Sequence, residues 1–399
     1  MLALAVLTAM AVARQDTSAR WAPMARAIQD AVAAHAFPGA VVAVGRRDTV
    51  LYLHAFGRVE YTEPGAPTRG RTAATPARVT VHTVYDLASL TKVVGLTFAM
   101  MQLVEEGRVA LDSPAVRYVP AFSHPDVTVR QLLTHSSGLP AWKPFYKQVR
   151  TREEMFALVN GEPLEAPPGT RMAYSDLGAM VLTQIVEHVT GERLDRYLRI
   201  HLFRPLHMLE TRYLPPKAWR ARIAPSELDT TYRHHLVWGE VHDENAFSMG
   251  GISGHAGLFS TAPDLARYAQ LMLRTLRGES SSRRTENRGA RGPIELHLPG
   301  GFVDSATVAM FTLVQQPGFS SRALGWDTPD GQNSAGSHMS ARAFGHTGFT
   351  GTSMWIDPGQ DLFVILLTNR VFPTRENTKI VEVRRQVADL AVEIARSER

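Results

Sequence analysis

Ser89-Leu90-Thr91-Lys92 sets a hydroxyl and an amine three residues apart at the head of an apolar run. On a helix, residues three apart share a face with Cβ atoms about 5–6 Å apart, so the amine can reach the hydroxyl. A helix start also offers unpaired N–H groups and a positive partial charge, which suit a developing oxyanion. Serine attacks a carbonyl only once a base takes its proton. A lysine buried in apolar surroundings, its pKa lowered by desolvation, has the chemistry of that base. Composition singles out Lys92, because the 399 residues contain only five lysines against 38 arginines. Arginine does not release its proton near neutral pH, whereas a desolvated lysine can.

The elements that must hold this pair follow from periodicity. Residues 90–104 are apolar almost all round (Val93, Val94, Leu96, Phe98, Met100, Met101, Leu103), the pattern of a helix buried at the centre of a protein, with Gly107 as its stop. Ahead of it the pattern predicts a helix over 21–36 and strands over 40–45 and 49–56, then a loop rich in Pro, Gly, Thr and Arg over 62–78. Helices are predicted over 152–159, 177–189, 194–202, 263–276 and 305–313. Strand patterns return at 323–326, 341–346, 352–356 and 362–368, and a closing helix spans 377–396. Such an order predicts an α/β (α+β) fold, one antiparallel sheet built from both chain ends and flanked by N- and C-terminal helices, with an all-α lobe inserted between them. The expected division is a single catalytic domain over 20–395, with an α/β lobe from 20–85 and 320–395 and a helical lobe over 86–319. A Ser/Gly/Arg-rich stretch over 278–300 reads as a flexible insertion.

Bulk composition excludes several functions. With 44% hydrophobic residues the chain can bury a large core, and a net charge of +5 is mild for its length. No nucleic-acid module accompanies the arginines, so no nucleic-acid partner is expected. The absence of cysteine excludes disulfides, thiolate catalysis and cysteine-zinc sites. Residues 2–13 form an apolar run too short to span a bilayer, ending in Ala11-Val12-Ala13. Residues 1–13 are therefore read as an export signal, which predicts a periplasmic or secreted protein with no stable membrane span.

The segment Tyr85-Asp86-Leu87-Ala88-Ser89-Leu90-Thr91-Lys92 resembles the nucleophile motif of the serine β-lactamase and penicillin-binding-protein superfamily. Two further motifs follow in the family order. Tyr174-Ser175-Asp176 stands where the class C branch has Tyr-x-Asn, and His346-Thr347-Gly348 stands where many members have Lys-Thr-Gly. Leu132 to Leu139, the Phe203-Arg204-Pro205-Leu206-His207-Met208 block and the Gly254 to Thr261 block also resemble family segments. The resemblance spans about residues 22–395 and points to the class C-like, D-alanyl-D-alanine carboxypeptidase and esterase branch. It implies that Ser89 is the acylated nucleophile, Lys92 its base and Tyr174 a general acid/base. It also implies an oxyanion hole from the backbone N–H groups of Ser89 and Phe349, and substrate contacts at Asp176, His346, Thr347 and Gly348.

Two departures narrow the expected substrates. Asp176 replaces an amide that can donate, and should hold Lys92 more firmly charged; His346 removes a permanent cation that would pair with a substrate carboxylate. Both count against an efficient penicillinase. Val241-His242-Asp243-Glu244-Asn245-Ala246, with His255 nearby, has metal-ligand residue types but matches no standard metal spacing. It reads as a cleft-lining loop in which Asn245 or His255 shapes the substrate pocket. The expectation is a serine hydrolase without cofactor or metal, cleaving esters or amides such as D-alanyl peptides or small carboxylic esters through an acyl-enzyme. Its partner would be a small-molecule or peptide substrate, peptidoglycan-derived peptides among the candidates. The alternatives are a class C-like β-lactamase and, outside enzymes, a penicillin- or peptidoglycan-binding sensor without turnover.

Overall fold

A computed structural model describes residues 19–62, 76–279, 302–330 and 333–397. The expected signal at 1–13 lies outside them, as does residue 280 onward of the expected 278–300 insertion.

The main sheet has five strands: β1 (Gly39–Gly45), β2 (Val50–Gly57), β3 (Phe344–Thr347), β4 (Ser353–Asp357) and β5 (Leu362–Thr368). Their order across the sheet is β2-β1-β5-β4-β3, every pair antiparallel. The two chain ends meet at the β1–β5 pair, where Ala40 lies opposite Thr368 and Val44 opposite Val364. Strands β1, β4 and β5 are buried along their whole length, which explains the near-continuous apolar runs of β1 and β5 in place of an alternating pattern.

The alternating side chains of these strands go to two different cores. Ala40, Val42, Val44, Leu362, Val364 and Leu366 pack against α1 (Ala22–Ala33) and the last helix of the fold, Ile380–Arg396. Val41, Ala43, Phe363, Ile365 and Leu367 face the larger core of the helical lobe. In that lobe the segment after Ser89 begins with a wide π-helical turn, Lys92–Leu96, and continues as α2 (Thr97–Glu105). Residues 97–103 of α2 are buried on every side, as their sequence requires. Around it pack α3 (Asp176–Thr190) and α4 (Ala262–Leu276); Ile380–Arg396 closes the series as α5.

One predicted strand is absent. Residues 323–326 form a tight turn around Gly325 (φ +82°), whose N–H donates to Leu133 O at 2.8 Å. Ladder pairing begins only at Asp327, which exchanges two 2.9 Å hydrogen bonds with Gly345. A short buried apolar run fits a turn as readily as a strand. The predicted strand at 341–346 is also displaced, to Phe344–Thr347. Beyond Asp327, β3 is the open edge of the sheet, and it borders the cleft between the lobes. No helix of the described residues is long and apolar enough to cross a membrane.

Candidate active site

Ser89 follows a residue held in an unusual conformation. Ala88 has φ +46°, and its N–H is fixed by Asp86 Oδ1 at 2.8 Å. Such backbone strain persists only where its surroundings over-determine it. Beyond that bend the chain turns into the helix, and Lys92 N donates to Ser89 O at 3.0 Å. The side chains meet as the spacing predicts, with Lys92 Nζ donating to Ser89 Oγ at 3.0 Å.

Lys92 is 3% exposed and makes two further contacts. Its amine donates to His255 O at 3.0 Å and forms an ion pair with Asp176 Oδ1 at 2.6 Å. Burial is the largest influence and would lower its pKa, but the Asp176 carboxylate and Tyr174 together outweigh it, so the net shift is upward. The resting Lys92 is therefore a charged ammonium. That corrects the expectation of a desolvation-lowered amine and agrees with the expected effect of Asp176.

Tyr174-Ser175-Asp176 is positioned by the start of α3. Ser175 caps the helix, its Oγ accepting from Gly178 N at 3.1 Å and donating to Pro140 O at 2.6 Å. Ser175 N donates to His135 Nδ1 at 3.0 Å, and Asp176 N donates to Ala141 O at 2.9 Å. Asp176 thus sits in the first turn, where the helix dipole favours a carboxylate. The Tyr174 ring lies 4.9 Å from Lys92 Nζ, between the rings of His135 (4.6 Å) and His346 (5.6 Å). Its hydroxyl is buried and makes no hydrogen bond of normal geometry. Burial raises its pKa against the pull of Lys92, so it rests protonated.

Opposite Ser89 runs the edge strand. His346 Nδ1 bonds Thr347 O at 2.7 Å, while Nε2 is buried without a partner. Burial first, then Arg322 and Lys92, drive its pKa well below the usual histidine value, so the ring is neutral. After it, Gly348 permits a close crossing that no larger residue would. A Cβ there would lie 2.1 Å from Thr352 Oγ1 and 2.4 Å from Leu87 O. Thr350 Oγ1 donates to Asp86 O (2.8 Å) and Thr352 Oγ1 to Leu87 O (3.0 Å), tying this loop to the one that leads into Ser89. Neither Ser89 N–H nor Phe349 N–H donates within the protein among the described residues, leaving two backbone donors free at the cleft.

The cleft has a volume of about 600 Å³ and is lined by Ser89, Tyr174, Asp176, His255, His346, Thr347, Gly348 and Phe349, among others. Asn245 does not line it. That residue is fully buried, its Oδ1 accepting from Tyr146 N (2.9 Å) and its Nδ2 donating to Lys143 O (2.8 Å), so it secures the 143–146 loop rather than touching substrate. The preceding His242, Asp243 and Glu244 do line the cleft. His255 presents its carbonyl to Lys92, while its ring is held by Asp243 Oδ1 (2.8 Å) and Ser253 Oγ (2.7 Å). Burial would raise the Asp243 carboxyl, but His255 overrides it and holds the group well below its usual range. Among the described residues no cluster of three or more potential ligands could hold a metal.

Sequence reasoning missed the cationic lining: Arg322, Arg370, Arg375 and Arg384. Arg375 is engaged by Glu227 (2.6 Å) and Glu244 (2.7 Å). Arg322 is less committed: Nε and Nη1 are buried without hydrogen bonds, Nη2 stands 3.7 Å from Asp327, and the guanidinium lies 5.2 Å from the Tyr174 ring centre.

A sequence profile described as Beta-lactamase matches residues 24–389. Similar curated proteins include an N-acetylmuramyl-L-alanine amidase of Bacillus subtilis (strain 168), 33% identical over 87% of this chain and 81% of that protein. Another, from Escherichia coli (strain K12), carries the name "Putative D-alanyl-D-alanine carboxypeptidase" and is 34% identical over 74% of this chain and 71% of its own length. In structure the chain is similar to a penicillin-binding-protein homologue from Caulobacter crescentus (TM-score 0.70, 19% identity, 94% and 98% of the two chains). It is similar also to EstCE1, a hydrolase with promiscuous acyltransferase activity (TM-score 0.69, 20% identity, 94% and 98%). The chain belongs to the beta-lactamase family. It has the β-lactamase/transpeptidase-like fold, with a five-stranded antiparallel sheet, helices from both chain ends and a helical insert.

Proposed function

We propose that the protein is a serine hydrolase that forms an acyl-enzyme on Ser89 and cleaves amide or ester bonds of carboxylate-bearing, cell-wall-type peptides. The observation that carries this reading is the line Ser89 Oγ, Lys92 Nζ, Asp176 Oδ1, with separations of 3.0 and 2.6 Å, facing two free backbone donors. Because Lys92 rests charged, it accepts the Ser89 proton only while passing one of its own to Asp176. Ser89 Oγ then bonds to the substrate carbonyl carbon, and the carbonyl electron pair moves onto oxygen between the N–H groups of Ser89 and Phe349. When the oxyanion collapses, the bond to the leaving amine or alkoxide breaks and Tyr174 gives that group its proton. Lys92 then replenishes the phenolate, taking back the proton held by Asp176. Water repeats the sequence on the acyl-enzyme and frees Ser89.

The substrate class rests on charge and kinship. His346 supplies no cation, but the Arg322 guanidinium lines the same end of the cleft beside Tyr174, a charge that suits a substrate carboxylate. The names of the two curated relatives point to D-alanyl-D-alanine ends and to the N-acetylmuramyl-L-alanine amide. Such substrates lie outside the cytoplasmic membrane, in keeping with residues 1–13 as an export signal.

The test is exposure of the purified protein to a penicillin, to a peptide ending in D-alanyl-D-alanine, to an N-acetylmuramyl-L-alanine amide and to a p-nitrophenyl ester. Products are followed chromatographically, and adducts by intact mass and peptide mapping. Turnover of either peptide substrate, lost in Ser89→Ala, is the expected result. Rapid penicillin turnover would favour the β-lactamase alternative. A stable penicillin adduct with no turnover of any substrate would favour a sensor.

A further inference from the structure

The free N–H of Phe349 belongs to the same peptide unit as the carbonyl of Gly348. Arg384 Nη2 donates to that carbonyl at 2.6 Å and to Thr352 O at 2.8 Å. The guanidinium sits on α5, behind the edge strand, and its Nε is buried with no partner. Burial and the nearby Arg370 bring its pKa down to about 9, so it remains a cation at neutral pH. Arg370 holds the other side of the same residue, its Nε donating to Phe349 O at 2.8 Å with the guanidinium 4.4 Å from the Phe349 ring centre.

We propose that Arg384 is a positioning residue for the oxyanion hole, acting through the Gly348–Phe349 peptide bond. The inference rests on the acyl-enzyme reading of the cleft. Amide resonance moves electron density from nitrogen to the carbonyl oxygen. A cation bonded to that oxygen draws the density further, leaving the N–H at the other end of the peptide more positive. Hydrogen bonds coupled in this way strengthen one another, and charged donors make the stronger bonds. The cation also fixes the plane of the peptide, so the N–H direction is set before any oxyanion exists. The Phe349 side chain has no part in this: the residue is 49% exposed, and its ring rests on Arg370 and His242, away from the Arg384 guanidinium's hydrogen bonds.

The alternative use of Arg384 is as a direct substrate anchor, since it too lines the cleft. The two roles separate in kinetics. Acylation and deacylation both pass through a tetrahedral oxyanion, so weakening the hole slows both steps together and leaves KM nearly unchanged. Loss of an anchor raises KM.

The experiment uses the full chain with a p-nitrophenyl ester carrying a ¹³C-labelled carbonyl. Steady-state constants are measured alongside the infrared carbonyl stretch of the acyl group on Ser89. Removing an oxyanion donor outright costs about 100- to 1,000-fold, so weakening one through Arg384→Met is expected to lower kcat about tenfold or more. KM should stay within about twofold, and the acyl carbonyl stretch should move to higher wavenumber as its hydrogen bond weakens. Arg384→Lys, which keeps a cation but not the fork, should fall between native and Arg384→Met, and carries the same reading if the methionine variant does not fold. An unchanged stretch and kcat, or a raised KM at constant kcat, in an acylated protein overturns the inference alone. A native chain that never gains the acyl group on Ser89 removes the catalytic reading, and this inference with it.

Discussion

The two walls of the cleft are built on opposite plans. On the helical side, function rests on side chains: Ser89, Lys92, Tyr174 and Asp176 meet within a few ångströms, and each needs its own chemical type. On the strand side the backbone is the working part. His346 is neutral, the Phe349 ring is half exposed, and the free donor is a main-chain N–H. A substitution should therefore be judged by different criteria on the two walls. On the first, what matters is loss of a proton donor, acceptor or charge. On the second, it is displacement of the chain.

The sharpest break on the helical side is Ser89→Ala. Removing the nucleophile of a serine hydrolase costs about a millionfold when the whole constellation acts as a unit, so hydrolysis should fall to background while the melting temperature holds. Turnover comparable to native in that variant would sink the mechanism. On the strand side the corresponding break is Gly348→Ala, which adds one methyl group and no chemistry. Its Cβ would lie 2.1 Å from Thr352 Oγ1 and 2.4 Å from Leu87 O, both belonging to the stitching between the two halves of the oxyanion hole. Overpacking of this kind costs about 1–3 kcal/mol of stability. Displacing the donor should lower kcat by about 100-fold or more. Activity within a few-fold of native would mean that the strand does not need its present path.

The helical wall was largely legible in the sequence because chemistry restricts its residue types and helix geometry fixes their spacing. Ser89 and Lys92 needed only the three-residue interval, and Tyr174 the family motif that contains it. Charge state was harder to read, because burial and the Asp176 ion pair act on Lys92 in opposite directions and only a distance decides between them. The supports of the strand wall left little trace. Arg322 and Arg384 are two arginines among 38, with no spacing that separates them from surface charge. Asn245 was misplaced because it lies on a short helix, Glu244–Ser248, where successive residues point about 100° apart. Glu244 turns to the cleft and Asn245 to the 143–146 loop. In the fold, long periodic or continuously buried segments were predicted well, whereas 323–326, four apolar residues around a left-handed glycine, was not.

Asp176→Asn would sharpen the comparison by testing charge without removing a shape. In the native protein the Lys92 pKa is raised above its unfolded value of about 10.4, so the pair stabilises the fold below that pH and the contribution is lost as pH rises through the folded pKa. Replacing the carboxylate leaves burial opposed only by Tyr174, and the folded pKa of Lys92 should drop below the unfolded one. The sign then reverses: the variant is penalised at neutral pH and recovers as pH rises towards about 10.4. Orphaning one member of a buried pair costs about 3–5 kcal/mol. Melting temperatures of native and variant should therefore differ most near pH 7, draw closer as pH rises through about 10, and meet only above the folded pKa of native Lys92. A difference that stays constant over that range would show that Lys92 does not titrate with its partner's loss.

The mildest expected effect belongs to His346→Gln, and its mildness is the point. His346 opens the motif that resembles Lys-Thr-Gly, it packs 5.6 Å from the Tyr174 ring, and it looks from its place like a catalytic base. Its Nδ1 is committed to Thr347 O, and burial with two neighbouring cations keeps the ring neutral well below the usual histidine range. A general base contributes about 100- to 10,000-fold, so a ring that only fills space should cost less than about fivefold in kcat/KM when replaced. The kcat/KM profile around the usual histidine pKa of about 6.5 should keep its shape, since burial and the two cations move this ring's protonation well below it. A 100-fold loss, or disappearance of a limb near pH 6, would give His346 a proton-transfer role. The strand wall would then carry chemistry in its side chains as the helical wall does.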